Sequence, residues 1–217
     1  MDSVALIDHN VFAALLDVSE ILETKCRGES AWAKAIRVRV LHKDGREENY
    51  FMKVSVGDHG REALKGEFES TSSIYSITPD FCPKPIACGT FASDPSSHFY
   101  ICKFYDFVEG VPEPTSFCEK LARLHSSHTS PNDGLLPPLF NRVIPRLLRP
   151  LESEGRIIQP SLVHGDLCFW AHNEYELGNW RPERNKFTRR YYQAYHSHIP
   201  KSEPQEDYDD RNALYSL

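Results

Sequence analysis

The sequence predicts an α+β fold, with an antiparallel sheet in its N-terminal third and helices after it. Three observations carry that expectation. Asp44-Gly45 is a hairpin turn signal set between apolar runs at 36–41 and 48–56. Residues 61–77 carry apolar side chains at helical spacing. The stretch 136–151 carries the strongest amphipathic stripe in the chain. Strands gathered ahead of helices read as α+β. With 217 residues the chain can bury a real core, as one modest domain or as two small lobes sharing a cleft.

Taken in order, 21–25 and 35–41 read as strands flanking a small polar loop, Cys26-Arg27-Gly28-Glu29-Ser30. In the strand 48–56, Tyr50, Met52 and Val54 share one face, and Phe51, Lys53 and Ser55 share the other. A lysine among apolar neighbours in mid-strand usually snorkels at an edge. In the helix 61–77, Leu64, Thr71, Ile74 and Tyr75 fall on one side. At ~100° per residue, Glu67 lies on that same inward arc, while Glu62 and Glu69 point away. A carboxylate on a packing face is costly to bury unless paired, and Lys53 is the partner in reach.

Pro83 and Pro85 end this helix and open two more strands, at about 84–91 and 99–104. Residues 106–114 read as a connector, and 115–127 as a helix carrying Phe117, Leu121 and Leu124. Ser130-Pro131-Asn132-Asp133-Gly134 is a break. The stripe beyond it includes Leu136, Phe140, Val143 and Leu147, with Arg142, Arg146 and Arg149 opposite, and Pro145 should kink that helix. Residues 161–167 are an apolar strand running into a polar turn that holds His164, Gly165 and Asp166. Taken alone, the last three fit an ordinary turn.

Composition excludes several classes. A formal net charge of −6 argues against a nucleic-acid partner, whose electrostatic footprint would be basic. No apolar run approaches the ~20 residues needed to span a bilayer. The first residues carry Asp2 and Asp8 with no basic stretch ahead of them, so no signal peptide is expected. The six cysteines form no C-x-x-C pair and read as reduced, mostly buried thiols of a cytoplasmic protein. The ten histidines match no zinc signature.

The order of these elements (strand, loop, strand, mid-strand lysine, inward helical glutamate, two strands, connector, helices, His-Gly-Asp) is the layout of a protein-kinase-like fold. Tyr50-Phe51-Met52-Lys53-Val54, Gly66-Glu67-Phe68-Glu69-Ser70, Pro83-Lys84-Pro85-Ile86, Leu121-Ala122-Arg123-Leu124-His125 and Leu162-Val163-His164-Gly165-Asp166 resemble the signatures of fructosamine (ketosamine) kinases. Ala171 to Gly178 and Trp180-Arg181-Pro182 resemble that family's downstream stretch. The resemblance implies a two-lobed protein, 1–105 a nucleotide-binding lobe and 106–217 a shortened helical, catalytic lobe. It implies ATP as cofactor and a ketosamine-modified protein or small amine as substrate. Gly28 and Ser30 would belong to the loop covering the nucleotide, and Lys53 and Glu67 would be the phosphate-positioning pair. Lys103 would lie near the hinge where adenine meets the backbone. Asp166 would be the catalytic base and His164 a support for its loop. The wider superfamily also contains kinases of aminoglycoside and choline-like substrates.

The same resemblance exposes a break. The family carries an Asn five residues after the catalytic Asp and another Asp further on, and both hold magnesium. Here the fifth residue after Asp166 is Ala171, Asn173 is out of step, and no aspartate occurs again before Asp207. Only 39 positions separate His125 from His164, shorter than the family leads one to expect. Mg2+ is thus expected for the family, while its ligands are missing here and no metal-binding residue is assigned. Two readings follow: an ATP-dependent ketosamine 3-kinase of impaired competence, or a kinase-like binding module without phosphotransfer. Oligomeric state is not legible.

Overall fold

The computed structural model describes residues 7–30, 32–127, 161–163, 169–171, 173–181 and 186–216. The chain divides into two compact units, Met1–Glu109 and Gly110–Leu217.

The first unit holds α1 (His9–Ala14), β1 (Val18–Glu29), β2 (Lys34–His42), β3 (Glu47–Val56), α2 (Gly57–Ile77), β4 (Pro85–Thr90) and β5 (Ser97–Lys103). The strands form one sheet of order β1-β2-β3-β5-β4, with every neighbouring pair antiparallel. The Asp44-Gly45 turn closes the β2–β3 hairpin as expected. Gly45 takes φ 83, the left-handed region such turns need, and Asp44 Oδ1 accepts from the Arg46 amide at 3.0 Å.

Alternation then sorts the two faces. Ile36, Val38, Val40, Tyr50, Met52, Phe99 and Ile101 are buried in one core cluster together with Val11 and Leu15. Met52 is fully buried and pairs across the sheet with Ile36 and Ile101. Its truncation to alanine costs ~2–5 kcal/mol, as for other buried aliphatic side chains. On the opposite face Leu64, Tyr100 and Cys102 form a second buried cluster, with Phe51 and Phe68 packed against it. This is where α2 lies on the sheet.

The helix α2 begins at Gly57, four residues ahead of the sequence expectation. Its first turn, Gly57-Asp58-His59-Gly60, has no apolar side chain to give a periodic signal. Gly57 adopts φ 77, and its amide donates to the Ser96 carbonyl at 2.8 Å, so the chain turns directly from β3 into the helix. The short α1 carried no sequence signal either. It is started by Asp8, whose Oδ1 accepts from the Asn10 amide at 2.8 Å.

The second unit holds α3 (Pro114–Ser126), β6 (Ser161–Val163), β7 (Phe169–Ala171), α4 (Asn173–Gly178), α5 (Arg189–His196), a 3-10 turn (Gln205–Asp207) and α6 (Tyr208–Leu214). Pro114 opens α3, and the Glu113 carboxylate caps it by accepting from the Thr115 and Ser116 amides at 3.0 and 2.8 Å. Cys118, Leu121, Leu124, Leu177, Trp180, Tyr191 and Tyr195 are buried, and Trp180 stacks on Phe187 with ring centres 5.0 Å apart. The helix expected over 136–151 lies outside the described residues. Cys102 and Cys118 are buried free thiols, while Cys26 is exposed and Cys82 and Cys88 are partly buried. Among the described residues no helix is long and apolar enough to cross a membrane.

Candidate active site

Lys53 and Glu67 meet. Lys53 lies on the α2 side of β3, and Glu67 reaches it from the third turn of the helix, so that Lys53 Nζ donates to Glu67 Oε1 at 2.6 Å. The outward glutamates do not compete for it: Glu69 Oε1 lies 3.8 Å from Lys65, and Glu62 Oε1 lies 3.3 Å from Arg61. Tyr100 sits directly across the sheet from Lys53, with Cys102 on the same face. Burial pushes the Tyr100 phenol well up and the Cys102 thiol up to about 11, so both are uncharged. The ion pair therefore stands on a neutral floor, with Lys53 one-third exposed. Two of the three ammonium hydrogens remain to be directed elsewhere.

The pair lines a cavity of about 1090 Å³, together with Gly28, Ser30, Trp32 and Ser55. Gly28 reaches it because β1 bulges between Cys26 and Gly28, which sets Gly28 opposite Ala35, itself opposite Lys53. A Cβ on Gly28 would meet nothing within 4 Å, so neither packing nor backbone geometry demands glycine here. What the glycine leaves is open space above the lysine row. The loop beyond it is tied by Ser30, whose Oγ accepts from the Trp32 and Ala33 amides at 3.2 and 3.1 Å. Ser55 Oγ, two residues past Lys53 on the same face, donates to the Trp32 carbonyl at 2.6 Å.

Lys103 is not brought to the pair. It ends β5 opposite Tyr50, on the face away from Lys53, and its Nζ lies 3.7 Å from Glu48 Oε1. Its amide is committed to the Lys84 carbonyl at 2.9 Å, and the Phe104 amide reaches Asn49 O at 3.3 Å. The Lys103 amide donor is therefore already engaged within the sheet.

In the second unit, Ser161, Leu162 and Val163 pair with Ala171, Trp170 and Phe169. The segment between these strands carries His164 and Asp166 and lies outside the described residues. Ala171 ends β7 with no side-chain oxygen to offer. Asn173 is buried and donates from Nδ2 to the Tyr195 hydroxyl at 2.9 Å. Glu174, the nearest following carboxylate, is gripped by both arms of Arg211: Nη2 at 2.9 Å and Nε at 3.0 Å. The Glu174 carboxylate is thus spent on the fold. Among the described residues no group of three His, Cys, Asp or Glu side chains is placed to hold a metal ion.

Sequence reasoning missed Trp32 and Ser55. Ser55 was already assigned to the Lys53 face by alternation, so its place beside the cavity was legible. Trp32 had no periodic pattern around it. The buried polar cluster of the second unit was missed as well. His125 Nδ1 lies 2.7 Å from the Tyr195 hydroxyl, and burial pushes this imidazole down to about 3, so it is neutral.

No family model and no curated protein matches the sequence. Solved structures do match. A Thermobifida fusca protein assigned as a fructosamine-3-kinase aligns with a TM-score of 0.58 at 16% identity, over 91% of this chain and 86% of its own. The aminoglycoside phosphotransferase APH(4)-Ia aligns with a TM-score of 0.50 at 14% identity over 92% of each chain. A thermostable mutant of it, in apo form, aligns at 0.53 and 13%, over 90% of this chain and 84% of its own. The chain therefore has the α+β, protein-kinase-like fold found in these phosphotransferases.

Proposed function

We propose that this chain binds ATP in the Lys53–Glu67 cavity and acts in the cytoplasm as a ketosamine 3-kinase, phosphorylating the sugar 3-hydroxyl of fructosamine- or ribulosamine-modified amines. Phosphorylation there destabilises the adduct and lets the amine be recovered, which is protein deglycation. The observation that supports this most is the 2.6 Å ion pair on a neutral floor, open to a cavity whose roof holds Gly28 and Ser30. Glu67 fixes the direction of the Lys53 ammonium, which leaves its other hydrogens for phosphate oxygens. The space above Gly28 suits close approach of a polyphosphate to backbone. Asp166 takes the proton of the attacking hydroxyl while the γ-phosphoryl group passes to its oxygen and ADP leaves.

Magnesium, in kinases of this fold, neutralises phosphate charge and is worth several kcal/mol to the transition state. Ala171 has no oxygen to give and the Glu174 carboxylate is committed to Arg211, so neither fits that role, and no step is assigned to the metal. That same observation favours a second reading, a nucleotide-binding module without phosphotransfer.

Turnover of ATP on fructosyl-lysine and ribulosyl-lysine, with and without magnesium, decides between them. Transfer above a blank that is abolished in Lys53→Ala supports the kinase. Nucleotide binding without transfer selects the binding module. Failure to bind any nucleotide overturns both.

A further inference from the structure

Trp32 is the feature of the cavity that the kinase reading leaves unused. Its side chain is 83% exposed, yet its backbone is held at both ends. The amide donates to Ser30 Oγ at 3.2 Å, and the carbonyl accepts from Ser55 Oγ at 2.6 Å. Ser55 is itself held, since it packs against α2 where only a glycine fits. A Cβ on Gly60 would fall 2.9 Å from Ser55 Cβ. An indole that contributes nothing to a core, on a backbone this restrained, lining the same cavity as Lys53 and Glu67, is a presented surface.

We infer that Trp32 is the recognition surface for the acceptor, taking the protonated secondary amine of a ketosamine and the adjoining sugar face against its ring. This rests on the proposed kinase function. The direction of β3 selects the acceptor over the nucleotide base. The sheet end where β5 leaves for the connector lies beside Tyr50, opposite Lys103. Under the kinase reading the base belongs at that end and the phosphates at Lys53, three residues on. Ser55, which carries Trp32, lies about 7 Å further in the same direction at ~3.3 Å per residue, past the phosphates. A ketosamine offers an ammonium beside an apolar ring face, and tryptophan is the side chain that binds such a cation best.

The test measures binding, so it does not depend on turnover. Affinity for fructosyl-lysine is titrated in the wild type, Trp32→Ala, Trp32→Leu and Trp32→Phe, with affinity for a non-hydrolysable ATP analogue measured beside it. Loss of the ring in the Ala and Leu variants is expected to weaken fructosyl-lysine roughly tenfold. Phe should recover most of the loss, and nucleotide affinity should stay within about twofold. An N-acetylated fructosyl-lysine, whose nitrogen carries no charge, should lose most of its sensitivity to residue 32. Equal binding of fructosyl-lysine by wild type and Trp32→Ala overturns the inference and leaves the kinase reading standing. A fall in nucleotide affinity instead overturns it by assigning the ring to the base. Nucleotide binding by a wild type that ignores fructosyl-lysine sinks the substrate assignment, and this inference with it.

Discussion

Lys53–Glu67 in the first unit and Glu174–Arg211 in the second are both short carboxylate–cation pairs, and their surroundings differ in kind. Lys53 and Glu67 are 33% and 37% exposed and share one contact, which leaves ammonium hydrogens and a carboxylate oxygen for something else. Glu174 and Arg211 are 1% and 13% exposed. Arg211 gives two further hydrogens to the Pro204 and Ser202 carbonyls at 2.9 and 3.0 Å, so four of its five are engaged. A buried pair with nearly all its donors engaged holds structure; a partly exposed pair with donors left over, beside a cavity, can bind. Distance alone does not separate the two, because both are within 3 Å.

The largest effect follows from breaking the buried pair. Arg211→Ala leaves a buried carboxylate without its partner and is expected to destabilise by ~3–5 kcal/mol, read by chemical or thermal denaturation. For a chain of this size that is a fall of roughly 10 °C. Replacing both partners, as Glu174→Met with Arg211→Met, should restore much of the loss, since no buried charge is stranded. A double variant as unstable as the single one would show that the carbonyl contacts of Arg211, and not its charge pairing, hold the region.

Lys53→Ala should behave the other way round. The pair is solvent-screened, so stability should change by no more than ~1 kcal/mol. Charge-assisted hydrogen bonds to phosphate are worth ~1.5–3 kcal/mol, so affinity for an ATP analogue should fall ten- to a hundredfold. Titration calorimetry beside a melting curve gives both numbers. A large loss of stability with unchanged nucleotide affinity would reverse the roles assigned to the two pairs.

How much of this contrast the sequence could reveal depends on the range of the interactions. The Lys53–Glu67 pair was legible because strand alternation and helical phase are local rules, and each places one side chain on one face. The hairpin at Asp44-Gly45 was legible for the same reason. Glu174–Arg211 was not, because it joins residues 37 positions apart whose intervening segments have no shared period. The His125–Tyr195–Asn173 cluster spans 70 positions and was hidden likewise. Lys103 shows the limit of a correct strand assignment. Its strand was placed well, but the partners of its amide and its ammonium are set by β4 and by Glu48.

Asp8 offers the smallest and most pH-specific test, since its carboxylate is satisfied by backbone amides and the Ser93 side chain, with no cation in the pairing. Burial by itself would raise this carboxyl. It is outweighed by the Ala92 and Ser93 amides, each donating at 2.7 Å, and by the Asn10 amide at 2.8 Å. Together they hold Asp8 well below the usual carboxylate range. A carboxyl depressed in the fold adds stability that is fully present above its unfolded value, ~3.9, and is lost as pH falls through the folded one. Asp8→Asn keeps the shape but removes the charge, so it should melt below wild type by a margin that is constant from about pH 5 to 8. The margin should narrow only as pH drops below ~4, where Asp8 of the unfolded wild-type chain takes up a proton that the folded carboxylate still refuses. Melting curves of both proteins at matched pH, in low salt, measure it. A margin that widened as pH fell from about 7 to 5 would mean that Asp8 is paired with a titrating histidine, which gains its charge over that range, and not with the amides alone.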